Sequence, residues 1–362
     1  MQMSNRNYQL DFIKLISAIL IFLCHTQWWA SSNASIITPQ WLNGIGNITV
    51  RIFFIISGLL MANSIANANV DGNWGHSAIL FVLKKFKKIM WPVWISIVIT
   101  LLIDLWFNHV GMSEAVMQGF KAIPELCMIS TAGFGDTHNT PLWFLSAMFI
   151  CMLPYSYLLY AKRDFTLYVF SPLTAILTSG YIFQTSNGEI DIAGFNGIFM
   201  NELIRTMCGI SLGVCAYTIY IHIMLCHQSY RKPNLFFTML EVLIYVGFIY
   251  VVAFARENYA VMSVFFLFPI AVAISFSGAS YLQYIFNQNW MWWFAPLSTQ
   301  IYINHWAAVQ IYRWTFSGHS WGTSVFWIAL YTVAACGVNL VIVRLGKLLW
   351  NNGLKRTLRP ES

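Results

Sequence analysis

Lys14 and His25 stand eleven residues apart within one apolar run, residues 10–28. At 3.6 residues per turn that spacing is about three turns, so the two side chains share a helix face roughly 16 Å apart. Asp11, Lys14, Ala18, Ile21 and His25 form the stripe. A histidine can take or give a proton near neutral pH, and a lysine on the same face can hold an anion. Ionisable groups at membrane depth are costly, so they face a bundle interior or a water-filled cavity and mark function. The structural alternative has Lys14 reaching back to the headgroups beside Asp11, with His25 bonding a neighbouring helix.

Composition defines the elements that must position this stripe. The chain is 58% hydrophobic and only 9% charged, with a mean hydropathy of +0.62, which excludes a soluble globular protein. Ten apolar stretches are long enough to cross about 30 Å of hydrocarbon: 10–28, 48–66, 89–107, 142–160, 166–183, 203–221, 236–254, 260–276, 292–312 and 324–343. Their continuity argues against a β-barrel. The expected fold is therefore all-α, a polytopic membrane protein of about ten transmembrane helices with both termini cytoplasmic. Residues 1–345 form the membrane body and residues 346–362 a basic cytoplasmic tail. The first run reads as a mature helix and not a cleaved signal, because Asp11, Lys14 and His25 interrupt it.

With the N-terminus inside, fifteen of the twenty basic residues fall on the cytoplasmic side, and only Arg51, Lys121, Arg205, Arg256 and Arg313 do not. The net charge of +7 follows from this positive-inside asymmetry and requires no nucleic acid. A basic cytoplasmic loop also suits anionic membrane lipid or a phosphorylated co-substrate. On the other side, residues 187–202 carry Glu189, Asp191 and Glu202 without Lys or Arg. The longest connection, 108–141, holds Glu114, Glu125, Asp136 and His138, and is either a functional loop or a solvated linker. Trp28, Trp29, Trp41, Trp314 and Trp321 gather near the outer ends, where indoles stack on sugars or form an interfacial belt.

Seven scattered cysteines make no CxxC pair and no zinc spacing, so neither a metal nor a disulfide framework is expected. No P-loop or dinucleotide fingerprint is present. Asn33 and Asn47 begin glycosylation sequons, relevant only where the source glycosylates proteins.

Five further marks occur in order along the chain. The first is Lys14, ten intervening residues and His25, set in Leu10-Asp11-Phe12-Ile13-Lys14. The second is Arg51 through Ser57-Gly58, seven residues that bring Arg51 and Gly58 close to one face, where the glycine admits a neighbouring helix or slender ligand. Alone, Arg51 is equally a headgroup anchor. The third is Lys84, Lys85, Lys87 and Lys88 ahead of Trp91-Pro92. Leu142-Trp143-Phe144-Leu145 and Tyr302-Ile303-Asn304-His305 complete the set. In this order and topology the chain resembles the acyltransferase-3 family of integral membrane acyltransferases over essentially all of the ten-span body.

That resemblance implies transfer of an acyl group, usually acetyl, from cytoplasmic acyl-CoA to a hydroxyl of an extracytoplasmic or lipid-linked glycan. It also implies a multi-pass protein of the bacterial inner membrane that modifies cell-envelope polysaccharide. Acetyl-CoA is then a co-substrate, with no tightly bound cofactor and no metal. His25 is the expected general base, ahead of a covalent acyl-histidine. Lys14 and Arg51 are expected to stabilise negative charge on phosphate or on the oxyanion. Lys84, Lys85, Lys87 and Lys88 hold the CoA phosphates or simply mark topology. Asp11 orients Lys14, while Ser57, Trp143, Tyr302 and His305 support the acceptor or pack. The chain departs from the family in having Lys at position 14 and in its third-span cluster, where Arg is commoner, and Lys makes no bidentate fork to phosphate. It carries no appended hydrolase-like domain, so the membrane body is expected to complete transfer or pass the acyl group to a partner. The competing class is a transporter or flippase of a glycolipid or polar solute, for which inverted repeats would be expected and none is evident.

Overall fold

The computed structural model describes residues 6–31, 39, 42, 45–68, 72–134, 137–185, 194–196, 199–227, 232–255, 258–315 and 320–357. Asn33, Trp41, Asp136, Glu189, Asp191, Arg231, Arg256 and Arg359 lie outside them. Ten helices of 15 residues or more organise the described chain: α1 (Tyr8–Ser31), α2 (Ile45–Ala66), α3 (Trp74–Phe107), α4 (Trp143–Ala161), α5 (Ser171–Thr185), α6 (Asn201–His227), α7 (Leu235–Tyr250), α8 (Asn258–Ser277), α9 (Phe294–Thr315) and α10 (Trp321–Thr357). A two-residue antiparallel pairing, Phe195–Asn196 with Phe199–Met200, precedes α6.

This is an integral, helical membrane protein. Seven described helices are long and apolar enough to cross a bilayer: α1, α2, α3, α4, α6, α10 and the run Arg163–Thr185 that ends in α5. Leu235–Tyr250 and Val261–Ser277 are apolar but shorter. α9 has the length but is polar within, carrying Ser298, Gln300, Asn304 and His305. Those four are all buried, so its polarity faces protein and not lipid. The outer surface is what lipid contact demands: Leu243 and Val333 are each 70% exposed and Phe254 68%.

The most extensive contacts join α2 to α6 and α1 to α9. The first is a backbone contact. A Cβ on Gly213 would sit 2.8 Å from the Gly58 Cα, and one on Gly58 3.0 Å from the Gly213 Cα. Each would also strike a carbonyl of the facing helix, Ile55 or Ile210. Gly209 meets the Phe54 Cβ in the same way, at 2.5 Å. Small residues allow this approach, and dispersion between the two backbones then holds the pair where no hydrophobic effect acts.

Two expectations change. The third span begins fifteen residues earlier than its apolar run, at Trp74, where the Asn73 side chain caps it by accepting from His76 N at 3.1 Å. Lys84, Lys85, Lys87 and Lys88 are therefore helical and not a loop; lysine is a good helix former, so charge did not end the helix. The second part of the 108–141 connection is also not a solvated linker, since Glu125, Ser130, Thr131 and Asn139 are buried there, whereas Met112–Lys121 buries no residue. After Phe107 the chain turns back through two short helices, Met112–Lys121 and Ile123–Leu126, until the Leu126 carbonyl accepts from Trp94 Nε1 at 2.8 Å. Trp94 stands thirteen residues before the end of α3, so the connection descends about 20 Å along it. α10 continues through Thr357, into the segment read as a tail.

A methyl group at the glycine contact should be disruptive, by about 1–3 kcal/mol or more for such overpacking. Gly213→Ala is expected to lose its monodisperse peak in fluorescence-detected size exclusion. Gly180→Ala on α5, where a Cβ meets nothing within 4 Å, is expected to match the wild type.

Candidate active site

The α1 stripe meets α9. Ser298 Oγ donates to the Lys14 carbonyl at 3.2 Å, and further along the same pair His25 Nδ1 lies 2.7 Å from His305 Nε2. The two imidazoles are 6° from parallel with centroids 5.0 Å apart. With a nitrogen pair at 2.7 Å, this is an in-plane N–H···N bond and not a stack. His305 Nδ1 faces two acceptors, the carbonyls of Tyr302 at 2.8 Å and Ile301 at 3.1 Å, so Nδ1 carries the proton. Nε2 of neutral His305 must then accept, and His25 Nδ1–H donates to it. The remaining nitrogen, His25 Nε2, keeps its lone pair. A half-buried imidazole with its second nitrogen so fixed is chemically a base of set direction.

At the other end of the stripe Asp11 Oδ2 accepts from Arg6 Nε at 2.6 Å, and Asp11 Oδ1 lies 3.6 Å from Lys14 Nζ. Lys14 also lies within electrostatic range of Lys88, and Lys85 within range of both Lys14 and Lys88. The lysine cluster thus divides. Lys85 and Lys88 lie within electrostatic range of Lys14, whereas Lys87 lines a groove of about 340 Å³ with Phe86, Trp91, Trp94 and Lys347. Lys84 is exposed.

Arg51 is 2% exposed, with its guanidinium 5.2 Å from the Phe265 ring. Gly46, against Cys24 of α1, marks the level of His25 on α2, and Arg51 lies five residues, about 7.5 Å, further along. Its depth is therefore between His25 and Lys14. Sequence reasoning missed its neighbour on α6. Arg205, 3% exposed, sits over the Trp143 ring at 5.0 Å, one turn before the Gly209 contact as Arg51 is one turn before Phe54. A second arginine inside an apolar span was the available signal. Trp143 is thereby placed beside Arg205 and Phe54. Ser57 is half-buried on α2, and among the described residues no hydrogen bond ties it to the histidine pair.

Tyr302 donates to the Pro141 carbonyl at 2.6 Å, one of several bonds that fasten α9 to the descending connection. Asn139 Nδ2 donates to Ser96 Oγ and to the Ile303 carbonyl, each at 2.9 Å, and Ser96 donates to the same carbonyl. Glu125, 1% exposed, anchors the loop by accepting from the backbone N–H of His138 and of Asn139, each at 3.0 Å. Burial holds the Glu125 carboxyl above the usual carboxylate range, although those two N–H groups oppose it. His138 Nδ1 lies 3.6 Å from Asp104 Oδ2, and that carboxylate beside it raises the His138 pKa against the effect of burial.

The family model for an acyltransferase domain matches residues 7–344, nearly the whole chain. This chain belongs to the acyltransferase-3 family. It is a membrane acyltransferase. The match takes in both ends of the α1 stripe, all four lysines and the Tyr302–His305 segment. No curated protein and no solved structure matches the acyltransferase. Among its described residues no cluster of His, Cys, Asp or Glu could hold a metal ion.

The raised His138 and Glu125 pKa values fix the sign of a pH dependence. A group whose pKa is higher folded than unfolded stabilises fully below its unfolded value and loses that stabilisation as pH rises through the folded one. For His138 the loss begins above its ordinary value of 6.5. The apparent Tm of the solubilised enzyme should fall as pH rises above 6.5, and Asp104→Asn should flatten that part of the fall.

Proposed function

We propose that this membrane acyltransferase moves an acetyl or other short acyl group from cytoplasmic acyl-CoA to a hydroxyl of an extracytoplasmic or lipid-linked glycan. The observation that carries the reading is the free Nε2 of His25, held by His305 at one end of a stripe whose other end is cationic. In this reading all ten helices cross the bacterial inner membrane, both termini are cytoplasmic, and the stripe spans from the donor side to the acceptor side.

Lys14, Lys85 and Lys88 converge as point charges where the CoA phosphates would dock, and the pantetheine arm runs along α1 toward His25. The acceptor hydroxyl gives its proton to His25 Nε2 as its oxygen bonds to the thioester carbonyl carbon. The carbonyl electrons move to oxygen, and Arg51, buried on the helix beside α1, supplies positive charge to that oxyanion. When the oxyanion collapses the C–S bond breaks, and the proton on His25 passes to the departing thiolate. Ester and free thiol result, with His25 neutral again. His305 acts through His25, by holding Nδ1 so that Nε2 points at the acceptor. Asp11 restrains Lys14 against swinging out to the headgroups. Acyl-CoA is consumed as co-substrate, so no resident cofactor is required.

The deciding experiment measures label transferred from radiolabelled acetyl-CoA into the glycan fraction of membranes, with expression matched between variants. His25→Ala should lose about 10²- to 10⁴-fold of the rate, the range for a positioned acid–base group. His305→Ala should lose less, because the base remains but its orientation is released. Label unaffected by His25→Ala removes His25 as base. No label in the wild type returns attention to other donors, and then to transport, which needs no acyl-CoA. Lys85→Gln together with Lys88→Gln should raise KM for acetyl-CoA by roughly several-fold with kcat little changed, since uniform binding is lost.

A further inference from the structure

Three indoles crowd the outer side of the histidine pair. Trp306, next to His305 on α9, meets the His25 ring edge-on at 76° with centroids 5.5 Å apart. Trp28, about one turn outward from His25 on α1, lies 22° from parallel to Trp306 at 6.3 Å. Trp29 closes the corner, 5.5 Å from Trp28 and 6.3 Å from Trp306. Burial separates their roles. Trp28 is 60% exposed and offers an open indole face, whereas Trp306 is only 4% exposed.

Trp306 carries a polar group without a use. Its Nε1–H is buried and meets no hydrogen-bond acceptor among the described residues. An unpaired buried donor is costly, so a donor kept beside the base points to an oxygen supplied from outside. An interfacial belt does not explain it, because belt indoles turn their N–H to the headgroups, and this one is enclosed. The side of the imidazole matters as well. Lys14 and its cations lie some 16 Å away along α1 in the opposite direction, so a molecule reaching Trp28 and Trp306 arrives from the other side.

We infer that Trp28 and Trp306, with His25, form the acceptor subsite and that its ligand is a pyranose ring. The C–H face of the sugar lies on the exposed indole of Trp28. The Trp306 N–H donates to a sugar oxygen beside the hydroxyl that faces His25 Nε2. This deepens the acyl-transfer reading and rests on it for the hydroxyl's fate, but sugar binding at the corner stands or falls by itself.

The test uses the full chain in lipid nanodiscs without sugar detergent, with methyl β-D-glucopyranoside and methyl β-D-galactopyranoside as probes. Saturation-transfer difference NMR reads which ring protons touch protein. In the wild type at least one glycoside should show saturation concentrated on its ring C–H protons. Trp28→Leu should weaken that binding by roughly three- to tenfold through lost stacking. Trp306→Phe keeps the ring but removes the donor, and should weaken it by about tenfold. Trp292→Leu, at an exposed indole just before the other end of α9, should change nothing. All variants must retain the wild-type size-exclusion profile, and Trp28→Leu meets this readily because the side chain is largely exposed. Absence of saturation in the wild type, or its persistence unchanged in both corner variants, overturns the subsite. Sugar binding that follows the corner while no acetyl label is ever transferred overturns the acyl-transfer reading instead.

Discussion

The contact of α2 with α6 at Gly58 and Gly213 is the constraint on which the interior depends. In hydrocarbon there is no water to drive apolar surfaces together, so helices hold each other by close packing and by polar bonds that have no other partner. Two glycines let these backbones touch. That closeness brings Arg51 and Arg205 to one level on neighbouring helices, each with an aromatic face against its guanidinium. From α2 the order passes to α1, because Gly46 admits the Cys24 side chain, and the height of Arg51 relative to His25 is thereby set.

Polar bonds do for α9 what glycine does for α2. Ser298 holds α1, Tyr302 holds the segment before α4, and the Ile303 carbonyl is shared by Ser96 and Asn139. Asn339 of α10 joins the group by donating to Asn304 Oδ1 at 3.2 Å and to the Pro92 carbonyl at 2.8 Å. These bonds lie within a few residues of His305. The same helix segment that orients the imidazole is therefore among the most tightly fastened in the bundle, as a base of fixed direction requires.

Much of this was legible in the chain. The Lys14 to His25 spacing defined a helix face, and His25 at one end of it meets α9 while Ile21 packs at Gly46 of α2. Gly58 suggested a close neighbour, which proved to be a backbone. What escaped the sequence shares one cause, distance along the chain. His25 and His305 are 280 residues apart, and nothing in either local pattern pairs them beyond their presence in apolar spans. Glu125 read as a loop acid because the apolar residues around it, Ile123 to Ile129, are too few to make a span, and its burial arises only when the connection folds back along α3. The lysine cluster misled in the opposite sense, since a run of charge beside an apolar stretch looks like a loop when the helix continues through it.

The polarity of α9 bears on how the protein is made. A segment with Ser298, Gln300, Asn304 and His305 along its length is a poor candidate to enter a bilayer unaided, for each polar group raises the cost of insertion. Its partners are α1, α3 and the segment before α4, all synthesised earlier, and α10, which follows within six residues. The helix least suited to lipid is thus the ninth to emerge, when its partners on α1, α3 and the segment before α4 are already made and Asn339 of α10 is still to come. Chain order, and not hydropathy alone, allows this fold to hold a polar helix in its interior.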